Sequence, residues 1–394
     1  MRDLLVFGGS SVPALAKAIC RNLTIVPGEV DSKKFSNGET SITVKDSVRE
    51  KDVFIVQSGC GEVNDNFIEL LILISACKTA SAKRVTAVLP FFPYSRQPEN
   101  PKVLMGGDNA IAGEEEISLP KPALRPRAIL TNAAATNLLG AVDGYGKDDS
   151  GYKQWVSPNG TLIANLLMNA GADRCMTMDL HDPQFQGFFD ILVDNLYLMP
   201  LFKRYIIDYV PNYKDCVIVS PDSGGAKRAT AIADALGCRF ALIHKERRTK
   251  VTPVTIGSPI LSASVSMNSS ISTTTQVNSS MLVGDVKDKV CVLIDDLADT
   301  CNTITRAAKL LKETGASYIY CLVTHAIFSG DGLEKIEASD IDKLITTNSL
   351  PQLDHMNELG SDRFEVLDVS RIFAEAIRRI HNGESVSMLF DHGW

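Results

Sequence analysis

The stretch Val290–Thr303, VCVLIDDLADTCNT, decides the fold. Val290–Ile294 is apolar and rich in β-branched residues, and Asp295-Asp296 close the run. A short polar turn with Asp299, Thr300, Cys301, Asn302 and Thr303 then opens a segment of helical pattern. Such a turn can aim several backbone N–H groups and hydroxyls at one point. The start of a helix adds about half a positive charge there, which makes a monophosphate site. Two carboxylates just before it can accept hydrogen bonds from adjacent hydroxyls of a ribose or hold a metal. A plain helix cap with solvated acids is the weaker reading, because both acids directly follow an apolar strand.

The same beat of strand, turn and helix recurs outward from that stretch. Leu4–Phe7 precedes Gly8-Gly9-Ser10-Ser11 and the helical pattern Val12–Leu23; Val53–Gln57 precedes the amphipathic Asn64–Thr79, and Val85–Pro90 follows. Further strands are expected at Cys175–Met178, Val217–Ser220, Phe240–Ile243 and Ile319–Thr324. Strands alternating with helices imply βαβ units and parallel sheets, whose ligands sit at the carboxyl ends of the strands. Two segments break the rhythm. Residues 98–155 hold proline- and glycine-rich pieces around one helical stretch, Ala133–Val142. Residues 249–280 are largely Ser, Thr and Asn, with too little apolar surface to offset the entropy of ordering. Both exceed the length a compact domain usually tolerates as a loop, and both read as insertions into a regular α/β framework.

Composition narrows the function. A length of 394 residues suits two domains. Lysine and arginine number 40 against 47 acids, a net charge of −7, so no basic footprint for nucleic acid exists and phosphate chemistry must rest on locally placed groups. Nine scattered cysteines without a C-x-x-C pair read as reduced thiols of a cytoplasmic protein. The opening MRDLLVFGGSS reads as a first strand rather than a signal peptide. The longest apolar stretch, Phe67–Cys77, contains Glu69 and falls well short of the roughly 20 residues a bilayer requires.

The Val290–Thr303 stretch resembles the ribose-5-phosphate and phosphoribosyl-pyrophosphate motif of type I phosphoribosyltransferase-like proteins. Six further segments narrow the resemblance: KFSNGET (Lys34–Thr40), Ser47–Gln97, MDLHDPQFQGFFDILVDNLY (Met178–Tyr197), VSPDSGGAKRA (Val219–Ala229), ALIHKER (Ala241–Arg247) and EAIRRIHNGESVSMLF (Glu375–Phe390). Together and in this order they resemble ribose-phosphate pyrophosphokinase, in an insertion-bearing eukaryotic, fungal form. A phosphoribosyltransferase would leave KFSNGET and MDLH unexplained.

The resemblance implies two tandem type I phosphoribosyltransferase-like domains, each a mostly parallel sheet flanked by helices. The expected bounds are 1–200 with the insertion 98–155, 201–381 with the insertion 249–280, and a tail, 382–394, packing back on the first domain. It implies transfer of the β,γ-diphosphoryl group of ATP to the C1 hydroxyl of ribose 5-phosphate, with Mg²⁺. His181 and Asp222 match the family's metal-side residues, and Lys245 and Arg247 its catalytic lid pair. Phe35, Asn37 and Glu39 match the hairpin that holds adenine; Arg96 and Gln97 match contacts to the nucleotide. Asp295, Asp296, Asp299, Thr300, Cys301, Asn302 and Thr303 match the ribose-5-phosphate site. Ser47, Arg49, Ser81, Ser385 and Ser387 match positions around a regulatory site. Since the family supplies its hairpin from a neighbouring subunit, a homo- or hetero-oligomer of related subunits is implied.

Three departures from the family pattern stand out. The charged loop that usually follows Arg-Gln is replaced by the first insertion. Asn302 stands where glycine is usual, a position expected to be left-handed, which asparagine tolerates better than most residues. The second insertion lengthens the lid directly after Arg247. These departures support an alternative, a non-catalytic or weakly active regulatory or scaffolding subunit.

Overall fold

The computed structural model describes residues 3–95, 159–253 and 272–391, with 245–253, 272–280 and 390–391 described in their backbone alone. Arg96, Gln97 and the stretch 133–142 lie outside the described residues. The first half runs β1 (Leu4–Gly8), α1 (Pro13–Asn22), β2 (Val30–Lys34), β3 (Thr40–Val44), β4 (Asp52–Val56), α2 (Val63–Thr79), β5 (Arg84–Leu89), α3 (Gly160–Ala170), β6 (Arg174–Met178), β7 (Leu192–Leu196) and α4 (Met199–Tyr209). Five of these strands form a parallel sheet in the order β1-β4-β5-β6-β7, and β2 and β3 make a separate antiparallel hairpin.

The second half runs β8 (Val217–Ser220), α5 (Ala226–Leu236), β9 (Arg239–Pro253), β10 (Ser272–Val283), β11 (Val290–Ala298), α6 (Asn302–Glu313), β12 (Tyr318–Ala326), α7 (Gly332–Glu337), β13 (Lys343–Thr347), α8 (Leu353–Leu359), β14 (Phe364–Leu367), α9 (Ser370–Asn382) and α10 (Met388–Asp391). Its seven-stranded sheet has the order β10-β9-β8-β11-β12-β13-β14, parallel throughout except at the β9–β10 edge. Two mostly parallel sheets flanked by helices are the α/β architecture expected from the strand–helix rhythm.

The period-2 alternation of side chains sorts the core into layers. Leu4 and Val6 of β1 face one interior, while Leu5 and Phe7 face the other. The first interior is common to both sheets: it also takes Val292 and Ile294 of β11 and apolar faces of α1, α4, α5 and α9. Behind the first sheet lie α2 and α3, and behind the second lies α6. The last long helix therefore does not stay with its own sheet. Asn22 of α1 donates to Ser370 Oγ (2.8 Å). At the other end of α9, His381 Nδ1 lies 2.8 Å from Asp52, which also receives both Arg84 nitrogens (3.0 and 2.7 Å).

The sheet edge is more ordered than composition suggests. Residues 272–280 of the Ser/Thr/Asn-rich stretch continue into β10 and pair in register with β9 from Ser272↔Pro253 to Val283↔Leu242. Backbone hydrogen bonding to an existing strand supplies what the polar side chains cannot, and threonine suits the pleat. The β11 strand likewise runs past Ile294 to Ala298, so Asp295 and Asp296 lie within it.

The seam between the sheets carries a buried polar network. His325 Nε2 donates to Met178 O (3.0 Å) while Nδ1 accepts from Ser349 Oγ (2.8 Å), and Thr324 Oγ1 donates to Asp179 (2.6 Å). Burial pushes the His325 imidazole down to about 4, so the folded ring stays neutral where the unfolded one would charge. The stability this neutral ring confers is complete above about pH 6.5 and is lost as pH falls from there toward 4, a loss of about 3 kcal/mol. Denaturant unfolding at pH 7 and pH 4.5 is expected to show a steeper decline for the wild-type chain than for His325→Gln.

Candidate functional site

A cavity of about 390 Å³ opens at the carboxyl ends of β6, β8 and β11. That is where open parallel sheets place their ligands. The first sheet contributes His181, the loop after β8 contributes Asp222, and β11 with its turn contributes Asp295, Asp296, Asp299, Thr300, Cys301, Asn302 and Thr303. Nine residues singled out in the sequence thus converge on one cavity from three segments.

The turn has a conformation the sequence did not suggest. The left-handed residue is Cys301 (φ 59°), not Asn302, which is the first residue of α6. The Cys301 thiol is buried, and burial pushes its pKa up to about 12, so it packs rather than reacts. Asn302 sits exposed at the start of the helix, its amide 3.4 Å from Thr300 Oγ1. The first turn of α6 faces the cavity, as a phosphate site requires.

The adjacent acids are not equivalent. His181 Nδ1 donates to Asp296 Oδ2 (2.6 Å), and Arg228 donates to Asp296 Oδ1 (3.1 Å). Burial opposes ionisation of Asp296, but the His181 hydrogen bond and the Arg228 charge outweigh it and hold this carboxyl well below its ordinary range. Asp295 is pushed the other way, by burial first and then by the Asp296 charge beside it. On the opposite wall Asp222 Oδ1 accepts from Gly225 N (3.1 Å), which fixes the loop ahead of α5.

Arg228 is the residue that sequence reading missed. It lies in VSPDSGGAKRA beside Lys227, and nothing in the segment alone chooses between the two cations. A signal was present in the helical period: Arg228 stands four residues before Ile232 on the stripe that α5 buries, whereas Lys227 is exposed.

The other expected residues lie elsewhere. Phe35, Asn37 and Glu39 form the tip of the β2–β3 hairpin, where Gly38 takes φ +90° and Phe35 is 58% exposed; none of them lines the cavity. Lys245 and Arg247 occupy β9 opposite Ser280 and Asn278, with side chains outside the described residues. Arg49 pairs with Ala82, and Glu50 N donates to Ser81 O (2.9 Å), which places the turns carrying Ser47, Arg49 and Ser81 side by side. Ser385 and Ser387 share a hydroxyl hydrogen bond (3.0 Å) just after α9. Arg84 reaches Ile380 O (3.4 Å), so both groups stand near the same end of the first sheet. No group of three or more His, Cys, Asp or Glu among the described residues could by itself hold a metal ion, and no described helix is long and apolar enough to cross a membrane.

A helix-start phosphate turn beside paired acids, set on parallel sheets, defines a protein of the type I phosphoribosyltransferase-like fold. The N-terminal domain of ribose phosphate pyrophosphokinase matches residues 4–103, and the phosphoribosyl synthetase-associated domain matches residues 212–391. Ribose-phosphate pyrophosphokinase 5 of Schizosaccharomyces pombe is 51% identical over 392 residues, covering 100% of this chain and 98% of that protein. The crystal structure of phosphoribosylpyrophosphate synthetase from Mycobacterium smegmatis superposes with a TM-score of 0.72 at 30% identity, covering 97% of this chain and 100% of that one. The chain belongs to the ribose-phosphate pyrophosphokinase family.

The inequality of the acids can be measured. At pH 7, Asp295→Asn is expected to leave stability unchanged or raise it, because it removes a charge that burial disfavours. Asp296→Asn should cost about 2–4 kcal/mol, because it strands the Arg228 guanidinium. The two carboxyls also oppose each other in pH dependence. The Asp296 contribution is present above the ordinary carboxylate range and lost on acidification, whereas Asp295 favours the folded state at low pH. Urea unfolding of the two variants beside the wild-type chain, from pH 8 down to about pH 2, tests both statements.

Proposed function

We propose that the chain is a ribose-phosphate diphosphokinase. It transfers the β,γ-diphosphoryl group of ATP to the C1 hydroxyl of ribose 5-phosphate, giving phosphoribosyl pyrophosphate and AMP for nucleotide biosynthesis. The observation that carries this reading is the convergence of His181, Asp222, the acid pair and the phosphate turn on one cavity, in a chain whose relatives match it end to end. The 5-phosphate would dock on the turn Asp299–Thr303 at the start of α6. Asp295 would take a ribose hydroxyl, while Asp296 is engaged by His181 and Arg228.

The cavity lining favours a divalent cation. Among the described residues of the lining, four carboxylates, Asp222, Asp295, Asp296 and Asp299, face one guanidinium, Arg228. Two polyanionic substrates would be repelled there without added positive charge. His181 and Asp222 would hold Mg²⁺, which usually keeps several waters and shares its coordination with substrate phosphates. With Nδ1 engaged by Asp296, a neutral His181 would offer Nε2 to the ion. When bound, the ion supplies charge neutralisation for the transferring phosphates.

The remaining roles fall to residues outside the cavity. Lys245 and Arg247, two apart on a strand and so on one side of it, would neutralise charge developing on the β-phosphorus. Phe35 would stack on adenine while Asn37 and Glu39 read its edge, and Arg96 and Gln97 would contact the nucleotide. An exposed Phe35 at the tip of a hairpin remote from the cavity lining supports donation of this element to a neighbouring subunit, hence an oligomer. Ser47, Arg49, Ser81, Ser385 and Ser387 would form a regulatory anion site. Nine unpaired cysteines support a cytoplasmic location. The alternative of a non-catalytic subunit is not favoured: the insertions leave the cavity residues in place.

Purified chain with Mg-ATP and ribose 5-phosphate is expected to form AMP and phosphoribosyl pyrophosphate in equal amounts. Lys245→Ala should lower kcat about 100-fold or more while changing KM little. No turnover by the chain alone, with the Lys245→Ala form still restoring turnover in partner subunits, would instead assign it the regulatory role.

A further inference from the structure

The turn that opens α6 is held from behind by the segment that follows β12. Ala298 O accepts from Ile327 N (2.8 Å) and Phe328 N (3.2 Å). Thr300 O accepts from Lys335 Nζ (3.5 Å), whose ammonium also pairs with Asp331 one helical turn earlier (2.7 Å). Between these two carbonyls, Asp299 O abuts Gly332, the first residue of α7. A methyl group added to Gly332 would lie 2.5 Å from that oxygen and 3.5 Å from Cys301 Sγ. The consecutive carbonyls of Ala298, Asp299 and Thr300 are therefore all turned toward one segment, 327–335. In a trans peptide the N–H points opposite to the C=O. The N–H groups of Asp299, Thr300 and Cys301 are thus turned the other way. That is the cavity side: the described lining takes in Asp299, Thr300 and Cys301 but none of 327–335.

From this geometry we infer that Gly332 and Lys335 are positioning residues for the phosphate turn. They hold its carbonyl edge against α7, so that its N–H edge faces the 5-phosphate of ribose 5-phosphate. The inference rests on the reading of Asp299–Thr303 as the place where that phosphate docks. The two residues act by different means. Gly332 lies outside the left-handed region, so its missing side chain serves close approach rather than backbone freedom. Where space is open, alanine is the better residue in a helix than glycine. Here its Cβ would fit only if the backbone of the turn moved. Lys335 ties down the last carbonyl before the left-handed Cys301, at the point where the chain turns into α6. Asp331 offsets the charge of that ammonium at longer range, so Lys335 acts chiefly on the shape of the turn.

The first readout needs no ligand. In ¹⁵N-threonine-labelled chain, with the Thr300 amide signal identified from Thr300→Ser, Gly332→Ala and Lys335→Met are each expected to move that resonance. The signal of Thr86, buried in β5, should stay in place. An unmoved Thr300 resonance in the folded variants overturns the inference. The second readout is calorimetric titration with ribose 5-phosphate, in the presence of Mg²⁺ and a non-hydrolysable ATP analogue. Gly332→Ala is expected to weaken binding about 10-fold or more, as misplacement of binding groups by a fraction of an ångström can. Lys335→Met should weaken it about 2- to 5-fold, the range of a single partly exposed charged contact, and Lys335→Arg should bind nearly as wild type does. Affinity for the ATP analogue alone should not change. An equal loss for both ligands would mark general damage to the structure and count against the inference. A moved resonance with undiminished ribose 5-phosphate affinity, or a wild-type chain that does not bind ribose 5-phosphate, would refute phosphate docking on the turn while leaving the hold of α7 on it intact. Wild-type affinity in variants whose Thr300 resonance is also unmoved would refute the positioning role and leave the docking site standing. If Gly332→Ala does not fold, Lys335→Met decides by the same criteria, and failure of Lys335→Arg to restore binding would count against the inference.

Discussion

The hydrogen bond from Thr324 to Asp179, 2.6 Å long and closed to water, is the contact on which the site depends. Asp179 directly follows β6 of the first sheet in a left-handed conformation (φ 41°), and Thr324 belongs to β12 of the second. Their bond, with His325 clamping Met178 O one residue away, fixes how the chain leaves β6 and therefore where His181 emerges. A buried acid is costly unless its oxygens are satisfied. Leu198 N takes the second oxygen at 3.3 Å, so the seam has few other arrangements available to it. The cavity exists because two sheets that could fold around separate interiors share one.

Much of this was legible in the order of residues, for definite reasons. Apolar runs of four to six residues, each followed by a small or polar turn, announce parallel strands buried on both faces. The acids after Ile294 and the hydroxyl-rich turn beyond them announce a phosphate site, since few other structures need those groups together. Legibility fails where conformation depends on distant packing. Cys301 rather than Asn302 adopts the left-handed shape, because the helix starts one residue earlier than glycine and asparagine preferences suggest. A buried thiol side chain holds that shape against its intrinsic cost. Arg228 was hidden because its partner lies 68 residues away on another strand. The Ser/Thr/Asn-rich β10 was hidden because its partner strand, not its composition, orders it.

Electrostatics reconciles an acidic chain with polyanionic substrates. The net charge of −7 says nothing of the cavity, where the adjacent Asp295 and Asp296 are pushed in opposite directions by their neighbours. Asp296 is ionised and engaged, while burial and that adjacent charge push Asp295 toward its protonated form. Such division of labour lets one pair of identical side chains serve unlike purposes. One orients an imidazole, and the other remains for a sugar hydroxyl. It also makes the site sensitive to cation supply, since acids outnumber the guanidinium among the described residues of the lining.

The docking of α9 on α1 has a consequence for how the protein is made. Residues 370–382 complete an interior that residues 4–23 begin, and His381 closes over Asp52. During synthesis the first sheet therefore leaves the ribosome with an uncovered apolar face and a carboxylate lacking one of its partners. It must wait for nearly the whole chain before that face is sealed. Contacts of such long sequence separation are slow to form. The emerging N-terminal half is thus a natural client for chaperones, and a ribosome that stops before codon 370 releases a product with its central layer open to water.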